Sequence, residues 1–262
     1  MTIGIGLAVP DGIALAADTQ TTWIQTISKA REKGTGKEIE LESPINIPVG
    51  WSKMARKLFP LKFAGNQFAV ATAGMSSLNN RTMYSIFKSL ERSYAGEPDC
   101  NEVLRHLING IEAELKLHHQ TDDLSKAPHT TVTFVLAGYE GQDVSRPFLE
   151  NHTVFSGEIT VSGAQIVGHH RFWTNIDKGR FGCCWIGMGE FVSHIVNHNN
   201  KKLPELSGQY HLMTLTDAVD YTTFLAKFTC DFQRFAVMVP DCARPIISAT
   251  LTPDGYEEKI LE

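Results

Sequence analysis

The spacing of apolar and polar positions predicts strands that come in hairpins. Residues 2–9 and 13–17 are apolar and partly β-branched, and the turn-forming Pro10-Asp11-Gly12 lies between them. This pattern is typical of a β-hairpin whose two strands are buried on both faces. A second hairpin is expected from residues 58–61 and 67–72. The chain is therefore expected to start inside a sheet.

Helical spacing begins after the second hairpin. Ser76 or Ser77 is expected to cap a first helix that ends near residue 94. Asp99 or Asn101 is expected to cap a second helix, which ends at residue 119. Further strands are predicted over 130–139, 147–154, 158–161 and 245–252, and further helices over 190–199 and 216–232.

Residues 23–56 differ in character from the segments on either side. The stretch KAREKGTGKEIELE is charged and interrupted by glycine, and the following SPINIPVG contains two prolines. Such composition is typical of irregular structure. We expect a long excursion or insertion here, with its basic run forming a solvated loop.

The order of the predicted elements indicates the fold class. Strands, a helix pair, strands, a second helix pair and a strand follow one another along the chain. This order suits an α+β protein, a four-layer αββα sandwich in which two antiparallel sheets pack together and helices cover both outer faces. A parallel, doubly wound α/β sheet is the alternative, although its strands would alternate singly with helices. We expect a single domain over residues 1–262.

Composition and charge exclude several classes of function. The hydrophobic fraction of 42% and the charged fraction of 20% are those of an ordinary globular protein. A net charge of -5 disfavours partners with phosphate backbones or anionic lipid surfaces. The apolar opening lacks the basic region of a signal peptide, and no stretch reaches the about 20 apolar residues of a spanning helix. A cytoplasmic protein without nucleic-acid or membrane partners is expected.

Metal and cofactor chemistry is not indicated either. The five cysteines form no spaced CxxC pair, and reduced, mostly buried thiols are the simplest interpretation. The histidines at 118–119 and 169–170 are adjacent, whereas two ligands on one helical face need a spacing of three or four. We therefore expect neither a metal nor a cofactor.

Thr2 is the first candidate for chemistry. A threonine hydroxyl is a weak nucleophile unless a base lies beside it, and a chain-terminal threonine has one in its own α-amino group, with a pKa of about 7.7–8.0. Because Met1 precedes a small residue, its removal would expose the amine of Thr2. Many proteins begin with Met-Thr and have no such activity, so the surrounding sequence has to decide.

The surrounding sequence resembles a known family. TIGIGLAVPDGIALAADTQTT is similar to the opening of proteasome β-subunits and of their bacterial relatives HslV, the Anbu proteins and the betaproteobacterial proteasome homologue. In that N-terminal-nucleophile hydrolase family, a nucleophilic threonine starts the first strand and an Asp-Gly turn follows. The second strand then ends in Ala-Ala-Asp. Thr2, Asp11-Gly12 and Ala16-Ala17-Asp18 match these places without a gap.

Two further motifs extend the resemblance. In ARKLFPL, Lys57 precedes an apolar pair, as the catalytic lysine of the family does, and FAVATAGMSS resembles the family strand that ends in Ala-Gly. The resemblance implies that the positive charge of Lys57 favours loss of the Thr2 proton, while Asp18 pairs with the lysine and fixes its position. It also implies that the backbone N–H of Gly74 binds the oxyanion of the intermediate.

The resemblance implies two more site residues. The backbone of Thr22 would pair with an extended peptide and add the substrate as a strand. Asp241 would be the supporting aspartate late in the chain, with Asp231 as the alternative. The chain departs from the family in the length of the segment before Lys57, in Gln20, which replaces a frequently basic residue, and in Met188, which replaces a serine.

The family resemblance implies a function. It indicates a threonine peptidase that hydrolyses peptide bonds within a homo-oligomeric ring or helical stack, with peptides or unfolded proteins as substrates and an ATP-dependent unfoldase as a possible partner. Two alternatives remain open at this point. One is an inactive shell or scaffold subunit that retains Met1, and the other is a small-molecule amidohydrolase with the same N-terminal nucleophile.

Overall fold

The computed structural model describes residues 2–52, 55–97, 100–124, 131–140, 153–162, 165–167, 181–196, 210–235 and 242–261. Its strands are β1 (Ile3–Val9), β2 (Gly12–Asp18), β3 (Thr21–Arg31), β4 (Glu38–Ser52), β5 (Leu58–Phe63), β6 (Asn66–Gly74), β7 (Ser77–Leu78), β8 (Arg81–Thr82), β9 (Thr131–Glu140), β10 (Thr153–Ser162), β11 (Gln165–Val167), β12 (Gly182–Gly187), β13 (Ile246–Thr252) and β14 (Gly255–Leu261). Its helices are α1 (Met83–Ser93), α2 (Cys100–His119), α3 (Glu190–Val196) and α4 (Leu215–Phe235).

The first sheet contains the start of the chain. Its strand order is β12-β1-β2-β13-β14, and each neighbouring pair is antiparallel. All residues of β1 and β2 are buried, which confirms the predicted hairpin with two buried faces. Because β1 is paired on both sides, Thr2 enters the sheet between β12 and β2 and not at an edge.

The second sheet has the strand order β11-β10-β9-β6-β5, again with antiparallel neighbours. The predicted hairpin of β5 and β6 and the predicted strand β9 are confirmed. Since all pairings between the described strands are antiparallel, the alternative of a parallel, doubly wound sheet is wrong. The fold is a mixed α+β fold with antiparallel sheets.

Three clusters of buried apolar side chains join these elements. One contains residues of both sheets, including Leu15 from the first and Val135 from the second. Another joins the second sheet to α1 and α2, and its aromatic centre includes Phe87 and Phe134 with ring centroids 5.3 Å apart. The remaining cluster joins the first sheet to α3 and α4. Each sheet therefore packs against a pair of helices as well as against the other sheet.

The first helix starts later than predicted. It begins at Met83 and not after Ser76 or Ser77, because Thr82 is its N-cap and accepts a hydrogen bond from the Ser85 N–H at 3.2 Å. Residues 77–82 form the short hairpin of β7 and β8 instead. Its turn residues, Asn79 and Asn80, have positive φ angles of 51° and 60°, which asparagine tolerates better than most residues.

Several other predicted helices and strands are present in the structure, with different first or last residues. Helix α2 begins at Cys100, so Asn101 lies inside it, and Asp99 lies outside the described residues. Helix α4 confirms the helix predicted over 216–232. Helix α3 confirms residues 190–196 of the helix predicted over 190–199, and residues 197–199 lie outside the described part. Strand β10 is one continuous strand where two were expected, although residues 147–152 are outside the described part. Strand β12 was not predicted, since its glycines and cysteines resemble a connection.

The segment predicted as a long excursion, residues 23–56, consists largely of a two-stranded ribbon. Strands β3 and β4 pair with each other from Thr21 opposite Ser52 to Arg31 opposite Glu38, and residues 32–37 connect them. Irregular structure is the wrong expectation for residues 21–31 and 38–52, because β-branched residues recur along both strands and favour extended backbone. The basic run begins in β3 and continues into the connection at 32–37, which lies outside both strands. The expectation of solvent exposure is confirmed for residues 28–40.

None of the described helices is long and apolar enough to cross a membrane.

Substituting Phe134 by alanine tests the cluster between the second sheet and its helices. The side chain is fully buried, so Phe134→Ala is expected to lower the free energy of unfolding by about 3–5 kcal/mol, measured by urea denaturation. Phe235→Ala is the control, because that ring is 84% exposed, and should change stability little. Equal effects of the two substitutions would contradict the packing.

Candidate active site

Three strand ends bring three of the predicted residues together. Thr2 precedes β1, Asp18 ends β2 and Lys57 precedes β5. The Lys57 ammonium donates to Asp18 Oδ1 at 3.0 Å and also to Thr2 Oγ1. Thr2 is 2% exposed, Asp18 is 0% exposed and Lys57 is 5% exposed. A hydroxyl, an ammonium and a carboxylate thus form a contiguous, buried row.

The Asp18 carboxylate accepts four hydrogen bonds. Oδ1 accepts from Lys57 and from the Ile3 N–H at 3.1 Å, whereas Oδ2 accepts from the Gln20 N–H at 2.9 Å and the Ala243 N–H at 3.4 Å. Burial raises the pKa of Asp18, and the charge of Lys57 together with the hydrogen bonds from Lys57, Ile3 and Gln20 opposes that rise. The carboxylate is therefore fixed in position by four separate segments of the chain.

Lys57 is held through its backbone as well as through its side chain. Its carbonyl oxygen accepts from the Thr72 N–H at 2.8 Å and from Thr72 Oγ1 at 3.3 Å. Burial lowers the pKa of Lys57, and the charge of Asp18 and its hydrogen bond oppose that shift. The lysine thus gives up its proton at a lower pH than an exposed lysine does.

A backbone contact that the sequence analysis missed fixes Thr2. The Met188 N–H donates to the Thr2 carbonyl oxygen at 2.8 Å. Gly187 has a φ of 80°, and a Cβ atom there would lie 1.6 Å from the same oxygen, so the position requires glycine. The triplet Gly187-Met188-Gly189 is the sequence feature that could have indicated this contact.

Gly74 lies at the end of β6, next to this row. Its φ is 84°, and a Cβ atom there would lie 2.2 Å from the Thr131 carbonyl oxygen, so this position also requires glycine. Gly74, Thr2 and Lys57 line one cavity of about 360 Å³. The other residues that line it are Thr21, Ser52, Ala55, Arg56, Thr72, Ala73, Met75, Ser76, Ser77, Thr82, Met83 and Tyr84.

The cavity has the size and lining of a ligand site. Its volume lies within the range of about 300–1,000 Å³ that is usual for such sites. Met75, Met83 and Tyr84 provide an apolar wall. Arg56 lies over the Tyr84 ring with its Cζ atom 4.7 Å from the ring centroid, and its guanidinium is 3.8 Å from the Glu258 carboxylate. The row of polar groups therefore faces a space that would accept an organic side chain.

The structure does not bring the remaining predicted residues into this row. Thr22 pairs with Trp51 in the ribbon, its hydroxyl accepts from Gln20 Nε2 at 3.3 Å, and its neighbour Thr21 lines the cavity. Asp231 forms an ion pair with Arg244. Asp241 lies outside the described residues, so its role stays a prediction.

The part of the chain that the structure describes contains no group of three or more histidine, cysteine or acidic side chains that would hold a metal ion. Four cysteines are free, buried thiols, namely Cys183, Cys184, Cys230 and Cys242.

The fold of this chain is shared with solved structures of Anbu proteins. A Gly-1 mutant of Anbu from Hyphomicrobium sp. strain MC1 aligns with a TM-score of 0.54 and 14% sequence identity over 100% of this chain and 87% of that protein. Anbu from Yersinia bercovieri, described as an ancestral β-subunit, aligns with a TM-score of 0.52 and 14% identity over 98% of this chain and 86% of that protein. No protein-family model and no curated protein sequence matches the chain.

Removing Lys57 tests the buried ion pair. Lys57→Met leaves the Asp18 carboxylate without its cation in a buried site, so the free energy of unfolding is expected to fall by about 3–5 kcal/mol at pH 7 in urea titrations. Lys62→Met is the matched control, because Lys62 is exposed on β5, and should have little effect. The double variant Asp18→Asn/Lys57→Met should lose less of the free energy of unfolding than Lys57→Met does, because it no longer contains an unpaired buried carboxylate.

The loss should depend on pH in a defined direction. In wild type, burial raises the pKa of Asp18 and Lys57 opposes that rise, so removing Lys57 raises the pKa further. The folded variant therefore keeps a proton that the unfolded chain has already released, over a wider pH range than wild type does. The free energy of unfolding of Lys57→Met therefore falls as the pH rises through the raised pKa, and the difference from wild type is smallest at low pH. A difference that is constant from pH 4 to pH 8 would contradict the assignment.

Proposed function

We propose that this protein is an N-terminal-nucleophile threonine peptidase that hydrolyses peptide bonds with Thr2. Cleavage of the bond between Met1 and Thr2 would generate the active form. The observation that supports the proposal most directly is the row of Thr2, Lys57 and Asp18, which is buried in the sheets but opens onto a cavity of about 360 Å³. The shared fold with Anbu proteins is consistent with it.

The row is arranged for attack by the Thr2 hydroxyl. In the proposed reaction, Thr2 Oγ attacks the carbonyl carbon of the peptide bond, and the freed Thr2 α-amine accepts the hydroxyl proton. The amine then donates this proton to the leaving amine, and an ester forms between Thr2 and the acyl part of the substrate. Water, activated by the same amine, hydrolyses the ester and restores Thr2.

Lys57 and Asp18 have complementary electrostatic roles in this proposal. A charged Lys57 next to the hydroxyl stabilises the developing alkoxide, and the low local dielectric strengthens this effect. Asp18 keeps the ammonium in position. In the same proposal the Gly74 N–H binds the oxyanion, the Thr22 backbone pairs with the peptide, and Asp241 supports the site from the segment before β13.

Several broader features belong to the same proposal. We propose a single domain with the four-layer αββα arrangement, in which residues 23–56 are an insertion relative to the family. The proposed protein is cytoplasmic and assembles as a homo-oligomeric ring or helical stack that encloses the sites. Peptides or unfolded proteins would be its substrates, with an ATP-dependent unfoldase as a partner.

Substitution of Thr2 tests the nucleophile. Thr2→Ala is expected to lower the hydrolysis of fluorogenic peptides by about a thousandfold or more, because among the described residues the Thr2 hydroxyl is the one that accepts from the Lys57 ammonium. Thr35→Ala, at the exposed tip of the ribbon, is the matched control and should retain activity. Intact mass identifies the processed form; an active protein that fully retains Met1 would refute the role of the Thr2 amine.

The pH profile of hydrolysis tests the two ionisable groups. Activity should rise through about pH 7.7–8.0 as the α-amine loses its proton and becomes a base. As the pH rises further, activity should fall again when Lys57 loses its charge. Because burial lowers the pKa of Lys57, this alkaline fall should occur at a pH below 10.5. In Lys57→Arg the alkaline fall should disappear from the residual activity, since arginine stays protonated. Circular dichroism at each pH controls for unfolding.

A further inference from the structure

The ribbon has one face that continues from the cavity. Paired residues of an antiparallel ribbon place their side chains on the same face, and the faces alternate along each strand. Thr21 is opposite Ser52, Gln25 is opposite Ile47 and Ile27 is opposite Ile45. Thr21, Gln25 and Ile27 are separated by even numbers of residues on β3, so all three pairs lie on one face.

A bulge in β4 makes this arrangement possible. Ile45 and Ile47 are an odd number of residues away from Ser52, which in a regular strand would place them on the opposite face. The register shifts between Trp23 and Ile24, whose partners are Gly50 and Pro48, so that Val49 is an additional residue in β4. The bulge therefore turns Ile45 and Ile47 to the face of Ser52.

The isoleucines of this face are exposed in the structure. Ile45 is 53% exposed and Ile47 is 42% exposed, and Ile27 beside them is half-buried. The surrounding segment SPINIPVGWS, residues 43–52, contains no charged residue. An apolar, uncharged strip of this kind is typical of a surface that binds another apolar segment.

The strip is continuous with the proposed active site. Thr21 and Ser52, the pair at the base of the ribbon, line the cavity that contains Thr2 and Lys57. From Ser52 to Ile45 the strand extends over about 23 Å, which matches about seven residues of an extended peptide. A polypeptide that enters the cavity alongside the ribbon would therefore lie over Ile47 and then Ile45.

We propose that this face of the ribbon binds an extended, apolar segment of an unfolded polypeptide and guides it into the cavity. The proposal rests on the proposed peptidase function and specifies its substrates as long, apolar chains. Continuity with the cavity favours a substrate over a second copy of this chain as the occupant. The ribbon thereby adds a binding surface outside the space of about 360 Å³ around Thr2.

A binding experiment without turnover tests the strip directly. Fluorescence anisotropy of a labelled, apolar 20-residue peptide is measured with full-length Thr2→Ala protein and with the same protein carrying Ile45→Ser and Ile47→Ser. The two serines should raise the Kd about tenfold, because they remove most of the apolar contact. An unchanged Kd would overturn the proposal.

Ile39→Ser is the matched control. Ile39 is 45% exposed, close to the 42% of Ile47, but its pair with Ala30 lies nine residues along β3 from Thr21, which corresponds to about 30 Å. The control substitution should leave the Kd unchanged. An equal loss of binding in Ile39→Ser would mean that the peptide contacts any apolar residue of the ribbon, and it would overturn the assignment to this face.

Hydrolysis by the otherwise wild-type protein separates this proposal from the proposed function. Ile45→Ser/Ile47→Ser should lower kcat/KM for a quenched 20-residue apolar peptide about tenfold and leave kcat/KM for a fluorogenic tetrapeptide unchanged. No hydrolysis of either peptide by wild type would refute the peptidase function, while the binding experiment still decides on the strip. A smaller assembly in light scattering, with unchanged peptide binding, would show that a second copy covers this face.

Discussion

The structure depends on the ion pair between Lys57 and Asp18. Burying two opposite charges is unfavourable unless hydrogen bonds replace the lost water, and here they do so from several directions. The carboxylate accepts from Ile3 at the start of β1, from Gln20 after β2, and from Ala243 before β13, in addition to Lys57. Any shift of one of these segments would leave a buried charge without a partner, so the pair determines how the strand ends meet.

The same burial changes the chemistry of the pair. Water screens the charge of an exposed lysine, which therefore has little effect on a neighbouring hydroxyl. Among the described residues, by contrast, the Lys57 ammonium has only the Asp18 carboxylate and the Thr2 hydroxyl as hydrogen-bond partners. Its lowered pKa reflects the unfavourable transfer of its charge from water. Two apolar side chains at these positions would stabilise the fold more than the buried ion pair does. The ion pair instead provides an electric field at the Thr2 oxygen.

The family resemblance predicted the parts of the site that lie at strand ends. Thr2, Asp18 and Lys57 stand in the short motifs that carry this resemblance, and the structure brings them together. The contacts of Met188 and Ala243 were missed, because both use backbone groups, which every residue possesses and which no motif marks. The start of α1 was misplaced because Ser76, Ser77 and Thr82 are all residue types that cap helices, whereas the structure uses Thr82.

The ribbon explains how the motif around Lys57 remains in place despite the long segment before it. Thr21 pairs with Ser52 and the Ala55 N–H donates to the Thr19 carbonyl oxygen at 3.1 Å, so the chain leaves and re-enters the site at nearly the same point. These two contacts close the ribbon at its base, between Asp18 and Lys57 in the chain. Sequence alone could not show this, because the charged and glycine-containing stretch resembles a loop. A closed ribbon, unlike a loop, can extend the site outward and leave the position of Lys57 unchanged.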